Sequence, residues 1–170
     1  MSMPLRNAAE YLVRSAARVP DKTAFSDASG AVSYRQMLHD ASALGTVLAG
    51  LPGCVNAPVA VMIGRTARSV TAMQGVLQSG NYYVPLDEQM PEARMRSILS
   101  QVHARAIVYT DGNRLQAERL ADCAPLVSLE AACTHTADPA LLQMRREALL
   151  DIDPVYVLFT SGSTGAPKGI

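Results

Sequence analysis

The sequence predicts an α/β layered domain, a mostly parallel sheet with flanking helices. Two observations carry this. Short apolar runs that suit strands alternate along the chain with longer stretches of helical periodicity, the order expected of a parallel sheet with helical crossovers. One of those runs, Val59-Ala60-Val61-Met62-Ile63, is apolar without interruption, as a strand covered on both faces must be.

Each element can be read in turn. Leu5, Ala8, Ala9, Leu12 and Ala16 recur at helical spacing and predict a first helix over 5–17, ended by Pro20. Thr23-Ala24-Phe25-Ser26 and Ala31-Val32-Ser33-Tyr34 read as two short strands around the turn Asp27-Ala28-Ser29-Gly30. Ser33 and Gln36 fit a capping box for a second helix, whose apolar face is Met37, Ala41, Leu44, Leu48 and Leu51. Pro52-Gly53 stops it. After the strand 59–63 comes a helix with Val70, Met73 and Leu77 on one face and Gly80 as its C-terminal cap. Tyr82-Tyr83-Val84 is a strand. Pro91 opens the next helix, which carries the stripe Met95, Ile98, Leu99, Val102. Ala106-Ile107-Val108-Tyr109 is a strand, 113–121 a weaker helix, Leu126-Val127-Ser128-Leu129 a weaker strand and 131–138 a loop. A helix over 139–150 turns Leu141, Leu142, Ala148 and Leu149 inward, and Val155-Tyr156-Val157-Leu158-Phe159 is a buried strand. With no linker or repeat in view, 1–170 reads as one domain, incomplete because nothing follows the last strand and its loop to wall them.

Composition narrows the function. Hydrophobic residues make up 49% of the 170 and charged residues 18%, which excludes a disordered, highly charged chain. Fifteen basic side chains balance fifteen acidic ones, so no basic field points to nucleic acid or to an anionic membrane. No apolar stretch approaches the length of about 20 residues that a membrane helix needs. The three cysteines, Cys54, Cys123 and Cys133, form no Cys-x-x-Cys pair, and with the absence of a signal-peptide pattern they suggest free thiols in the cytoplasm.

The chemistry concentrates at the end of the last strand. Thr160-Ser161-Gly162-Ser163-Thr164-Gly165-Ala166-Pro167-Lys168-Gly169 places four hydroxyls, three glycines and a lysine in ten residues. Glycine lets the backbone approach a ligand closely, successive N–H groups can form an anion-binding concavity, and hydroxyls add donors. Lys168 supplies charge and Pro167 stiffens the exit. The competing reading is a flexible Ser/Gly linker; the abutting strand and the fixed Pro-Lys-Gly closure count against it. A Walker loop needs lysine directly after its last glycine, and here Lys168 stands three residues after Gly165. The dinucleotide fingerprint Gly-x-Gly-x-x-Gly does not occur.

Other candidates read as structural. Asp87, beside Pro85, is tempting but is not read as catalytic; Asp151 and Asp153, ahead of a strand, suit helix-stop or turn roles rather than a metal site. His39, His103 and His135 share no metal spacing, and Cys133-x-His135 is a weak ligand pair. The methionines are core filler. Arg65 and Arg68 flank a helix near solvent.

The segment 156–169 resembles the phosphate-loop signature of the adenylate-forming (AMP-binding) superfamily, which includes acyl-CoA synthetases, luciferases and amino-acid-activating domains of nonribosomal peptide synthesis. Ser79-Gly80-Asn81-Tyr82-Tyr83-Val84-Pro85-Leu86-Asp87, followed by Pro91 and Arg94, resembles a second element of that family. Val32-Ser33-Tyr34-Arg35-Gln36-Met37 resembles a third, with Gln36 where the family carries glutamate. The three stand in family order and span nearly the whole chain. Tyr83-Val84-Pro85-Leu86-Asp87 looks more like the amino-acid branch, nonribosomal peptide synthetases and D-alanine–carrier-protein ligases, than the acyl-CoA branch, which remains an alternative.

The resemblance implies an ATP-dependent ligase. A carboxylate, here an amino acid, attacks the α-phosphate of ATP, and the acyl group then passes to a thiol of carrier-protein phosphopantetheine or CoA. It implies that Thr160, Ser161, Gly162, Ser163, Thr164, Gly165 and Lys168 hold the β- and γ-phosphates with Mg2+. It also implies that the adenine, ribose and catalytic-lysine sites lie outside 1–170, so the isolated chain is expected to be inactive. Two other classes stay open: a compact ATPase or kinase, and a non-catalytic fragment completed by a partner chain.

Overall fold

The computed structural model describes residues 7–161 and 167–170, and for Ser161, Pro167 and Lys168 the backbone alone. Its centre is a four-stranded parallel sheet in the order β4-β3-β5-β6, formed by β3 (Pro58–Ile63), β4 (Tyr82–Asp87), β5 (Ala106–Tyr109) and β6 (Leu126–Ser128). The chain steps from β3 outward to β4, crosses back over β3 to β5, then continues to β6. That reversal makes the sheet doubly wound, with a switch point between β3 and β5.

Helices cover both faces. On one face α2 (Tyr34–Ala49) and α3 (Ala67–Gln78) bury Leu44, Leu48, Ala72 and Val76 against Val59, Val61 and Val108. On the other α4 (Glu92–Val102) and α5 (Arg114–Glu118) bury Met95, Ile98, Leu99 and Ala117 against Ala60, Met62, Val84 and Ile107. Alternate residues of β3 and β5 therefore feed opposite cores, the arrangement their unbroken apolar runs require. A third, smaller cluster joins Leu12 of α1 (Ala9–Arg18) to Met37 and Ala41 of α2 beneath the hairpin β1 (Thr23–Asp27) and β2 (Gly30–Ser33).

Several elements depart from their sequence expectation. The capping box at α2 is half made: Ser33 Oγ accepts from the Gln36 N–H at 3.2 Å, but the Gln36 side chain donates to Asp40 at 2.8 Å. A carboxylate one turn ahead is a better acceptor than a backbone group behind it. The buried face of α3 is centred on Ala72, Gly75 and Val76, with Val70 and Met73 only partly covered, because α3 packs closely on α2. The expected loop 131–138 begins inside a one-turn helix, α6 (Leu129–Ala132), which Ser128 caps by accepting from Ala131. In α7 (Pro139–Ala148), Leu142 is buried and Ala148 exposed.

Two features hold the layers. Arg145 of α7 donates to Ala49 O at 2.8 Å and to Cys54 O at 3.2 Å, capping the carboxyl end of α2 with a cation. The buried Gln78 amide donates to Ala9 O and accepts from Arg146, joining α3 to α1 and α7.

The amino end of α3 is held by a carboxylate from the hairpin. Asp27 accepts from the Ser29 hydroxyl and N–H and from the Ala67 N–H at 2.7 Å. The Ser29 hydroxyl first, and the Ala67 N–H next, lower its pKa to about 2. Its folded value lies below its unfolded one, so this stabilisation is complete above about pH 4 and is lost as pH falls toward about 2. Asp27→Asn should lower the urea midpoint at neutral pH and flatten its decline between about pH 4 and 2. An equally steep acid limb in the variant would contradict this.

Candidate functional site

The expected buried strand 155–159 is in fact an edge strand, half exposed. Val155, Val157 and Phe159 face inward, while Tyr156 and Leu158 are 48% and 46% exposed. Its tie to the sheet is a parallel bridge, Tyr156 beside Tyr83. Tyr83 N–H donates to Val155 O at 3.2 Å, Val157 N–H donates to Tyr83 O at 3.0 Å, and the two tyrosine rings stand 5.7 Å apart. Burial against Tyr156 raises the Tyr83 hydroxyl above its ordinary pKa.

On its opposite edge the strand has another partner. β7 (Phe159–Ser161) and β8 (Pro167–Gly169) form an antiparallel hairpin in the register Phe159 to Gly169, Thr160 to Lys168 and Ser161 to Pro167. Leu158 and Ile170 exchange two further bonds at its base, 3.1 and 2.8 Å. Opposite Gly169 sits the Phe159 ring: a Cβ on Gly169 would meet Val157 Cγ1 at 3.1 Å and Phe159 Cζ at 3.2 Å. That close approach is why this position takes glycine.

Of the residues expected to hold phosphate, Thr160 lies exposed on β7 and faces Lys168 across the hairpin, with Ser161 beside them. Gly162, Ser163, Thr164 and Gly165 lie outside the described residues. The pairing brings the two ends of the glycine- and hydroxyl-rich segment together at the carboxyl end of the sheet, where open α/β sheets bind their ligands. A hollow of about 250 Å³ between α1 and the 149–155 segment lies at the opposite, amino end of the strands, beside Tyr11, Asn81 and Val155.

The residues read as structural take structural roles. Asp87 accepts from Gln89 N–H at 2.9 Å in a turn. Asp153 accepts from Leu150 N–H and from the Asn56 amide. In the Ser79-Gly80-Asn81 turn, Gly80 takes φ +77° beyond the end of α3 and Asn81 accepts from Ala57 N–H at 3.0 Å. Arg68 departs from its expected solvent role. It is half-buried, pairs with Asp40 at 2.8 Å and Glu130 at 3.3 Å, and approaches Cys133 Sγ at 3.8 Å. Burial raises the Cys133 thiol above its usual pKa despite Arg68. Among the described residues no group of three or more His, Cys, Asp or Glu could hold a metal ion, and no helix is long and apolar enough to cross a membrane.

The switch-point crevice is closed. Asn113, which ends the 3₁₀ turn Asp111–Asn113 and is 1% exposed, donates to Met62 O at 3.3 Å and accepts from Thr110 N–H at 2.9 Å. It ties the carboxyl ends of β3 and β5 together where doubly wound sheets commonly open for a ligand. The hairpin at the sheet edge, which carries the expected Thr160 and Lys168, is the candidate site.

The family model described as AMP-binding enzyme matches residues 12–170. The chain belongs to the AMP-binding enzyme family. Among its relatives, it is 36% identical over 165 residues to pyochelin synthetase PchF of Pseudomonas aeruginosa, covering 97% of this chain and 9% of that protein. It is 30% identical over 164 residues to nonribosomal peptide synthetase 6 of Alternaria brassicicola, covering 94% of this chain and 11% of that protein. The chain thus spans about a tenth of the length of these curated relatives. Among solved structures, VinN superposes with a TM-score of 0.77 at 23% identity, over 99% of this chain and 46% of that one. The N-terminal subdomain of Klebsiella oxytoca NpsA, bound to 3-hydroxybenzoyl-AMSN, superposes with a TM-score of 0.74 at 23% identity, over 98% and 40%. These likenesses bear out the α/β AMP-binding fold and the resemblance to adenylation domains.

Tyr83 and Tyr156, each inside a segment that carries the family resemblance, meet at the bridge that ties the strand 155–159 to β4, a pairing the motifs do not announce.

Proposed function

We propose that this chain is the phosphate-binding N-terminal part, 1–170, of an AMP-binding enzyme domain, and that the whole enzyme activates an amino acid as its acyl-adenylate. The observation that carries the reading is the hairpin register, Thr160 opposite Lys168, which brings both ends of the Ser/Thr/Gly segment together at the carboxyl end of the sheet. In this reading Thr160, Ser161, Gly162, Ser163, Thr164, Gly165 and Lys168 hold the β- and γ-phosphates of MgATP. A substrate carboxylate oxygen attacks the α-phosphorus, and the bond from that phosphorus to the bridging oxygen breaks. Pyrophosphate leaves with the electron pair. The segment's part is to stabilise charge on the departing pyrophosphate with N–H, hydroxyl and ammonium donors, and the Mg2+ that enters with ATP shares that charge. A thiol, of carrier-protein phosphopantetheine or CoA, then takes the acyl group and AMP leaves. Kinship with nonribosomal peptide synthetases favours an amino acid and a carrier protein, in the cytoplasm.

Lys168→Ala in the full-length natural protein should weaken MgATP binding by about tenfold or more, the scale of one lost charge-assisted contact. Amino-acid-dependent exchange of pyrophosphate into ATP should fall with it. Undiminished binding and exchange would refute the assignment. The chain 1–170 by itself should show no such exchange.

A further inference from the structure

Arg94 stands apart among the described arginines. It is half-buried on α4, and its Nε is shut off from solvent without a hydrogen-bond partner. Arg145 also has an orphaned Nε, but its two other nitrogens bond the Ala49 and Cys54 carbonyls. The Arg94 guanidinium makes no hydrogen bond or ion pair to any described residue. A guanidinium has five donors and cannot shed its charge, so leaving it partly desolvated and unpaired is costly. Position adds to that cost. Arg94 lies in the first turn of α4, at the positive end of the helix dipole, where an anion is favoured and a cation is not.

Its flank of the helix decides what it faces. Met95, Ile98 and Leu99 point into the core. Arg96 leaves one side of that buried face and pairs at 2.7 Å with Asp122, in the turn between α5 and β6. Residues two apart on a helix stand about 200° from each other, so Arg94 leaves the other side. The hairpin lies on that side: Val157 and Phe159 pack into the same core, and α4 and β8 approach within 8 Å between Cα atoms. Because α4 begins just after β4 ends, its first turn stands at the carboxyl end of the sheet, as do Thr160 and Lys168.

We propose that Arg94 is a phosphate-binding residue, its guanidinium donating to β- or γ-phosphate oxygens of MgATP from α4 while Lys168 does so from β8. The inference deepens the phosphate-binding reading above and rests on it. The planar fork of arginine can meet two oxygens of one phosphate at once, which the point charge of lysine cannot. The competing role is a structural ion pair with a carboxylate elsewhere in the whole enzyme.

Arg94→Gln in the full-length natural protein should bind MgATP and magnesium pyrophosphate about tenfold more weakly, and AMP with unchanged affinity, in equilibrium titrations. Thermal melting without nucleotide should not fall, since no protein partner is lost. Arg94→Met keeps the apolar stem and takes the place of the glutamine variant if that does not fold. Undiminished MgATP binding in a folded variant would overturn the proposal. So would an equal loss of AMP affinity, or a lower melting temperature with unchanged MgATP affinity, the mark of a structural ion pair. Lys168→Ala separates the two claims. If it weakens MgATP binding and the Arg94 variants do not, the role of Arg94 alone fails; if it does not, the phosphate-binding reading fails first.

Discussion

Gly75→Val should destabilise the fold by about 3 kcal/mol, the upper range for overpacking a close-packed core. The helices α2 and α3 cross with no room between them: a Cβ on Gly75 would stand 2.6 Å from Leu44 Cδ2 and 2.9 Å from Leu44 Cβ. Even alanine should be unfavourable. Its gain over glycine in helix propensity is about 0.5–1 kcal/mol, smaller than an overpacking cost of roughly 1–3 kcal/mol. The clash can be relieved in part from the other side, since Leu44→Ala removes Cδ2 and Cγ while Cβ stays 2.9 Å away. Leu44→Ala alone should cost roughly 2–5 kcal/mol through its cavity, yet combined with Gly75→Val it should cost less than the sum by at least about 1 kcal/mol. Equilibrium urea unfolding of the four proteins measures this. Additive penalties would show that Gly75 and Leu44 do not share the space described.

The second large effect is expected at the closed switch point. Asn113→Ala leaves Met62 O and Thr110 N–H buried without their partner, each costing about 1–3 kcal/mol. A total of roughly 2–4 kcal/mol should appear as a lower urea midpoint. Opening should also be local first, so amides of 108–113 should exchange faster than those at the centre of α2. A loss below about 1 kcal/mol would mean that water replaces the amide at no penalty and that the crevice is not truly sealed.

The sheet and its helices were legible because their signals are local. β3 and β5 are apolar runs of strand length, α2 and α4 carry stripes at helical spacing, and Gly80 marks its turn by composition. The one-turn α6 is too short for periodicity to register, and its cap, Ser128, also ends a strand. Arg68 could not be placed from sequence, because its partners Asp40 and Glu130 stand 28 and 62 residues away on other elements. The strand 155–159 shows the same limit more sharply. It is as apolar as β3, yet Tyr156 and Leu158 face solvent, because it lies at the sheet edge and β3 at its centre. Hydrophobicity reports what could be buried; place in the sheet decides how much is. For the candidate site, the residue types of 160–168 were readable as an anion-binding segment, whereas the meeting of its two ends depended on the β7–β8 register.

The cap on α2 also bears on how the chain is made. The carbonyls of Ala49 and Cys54 receive the Arg145 guanidinium from 96 and 91 residues further on. During synthesis the second helix leaves the ribosome with its carboxyl end open to water, and it keeps that open end while all four sheet strands emerge. Closing so long a loop is costly in chain entropy until strands and crossovers have shortened the path. The contact is therefore expected late in folding. α7 seals an assembled sheet, and a nascent chain halted before Arg145 has its core residues in hand without the clasp that fastens α2.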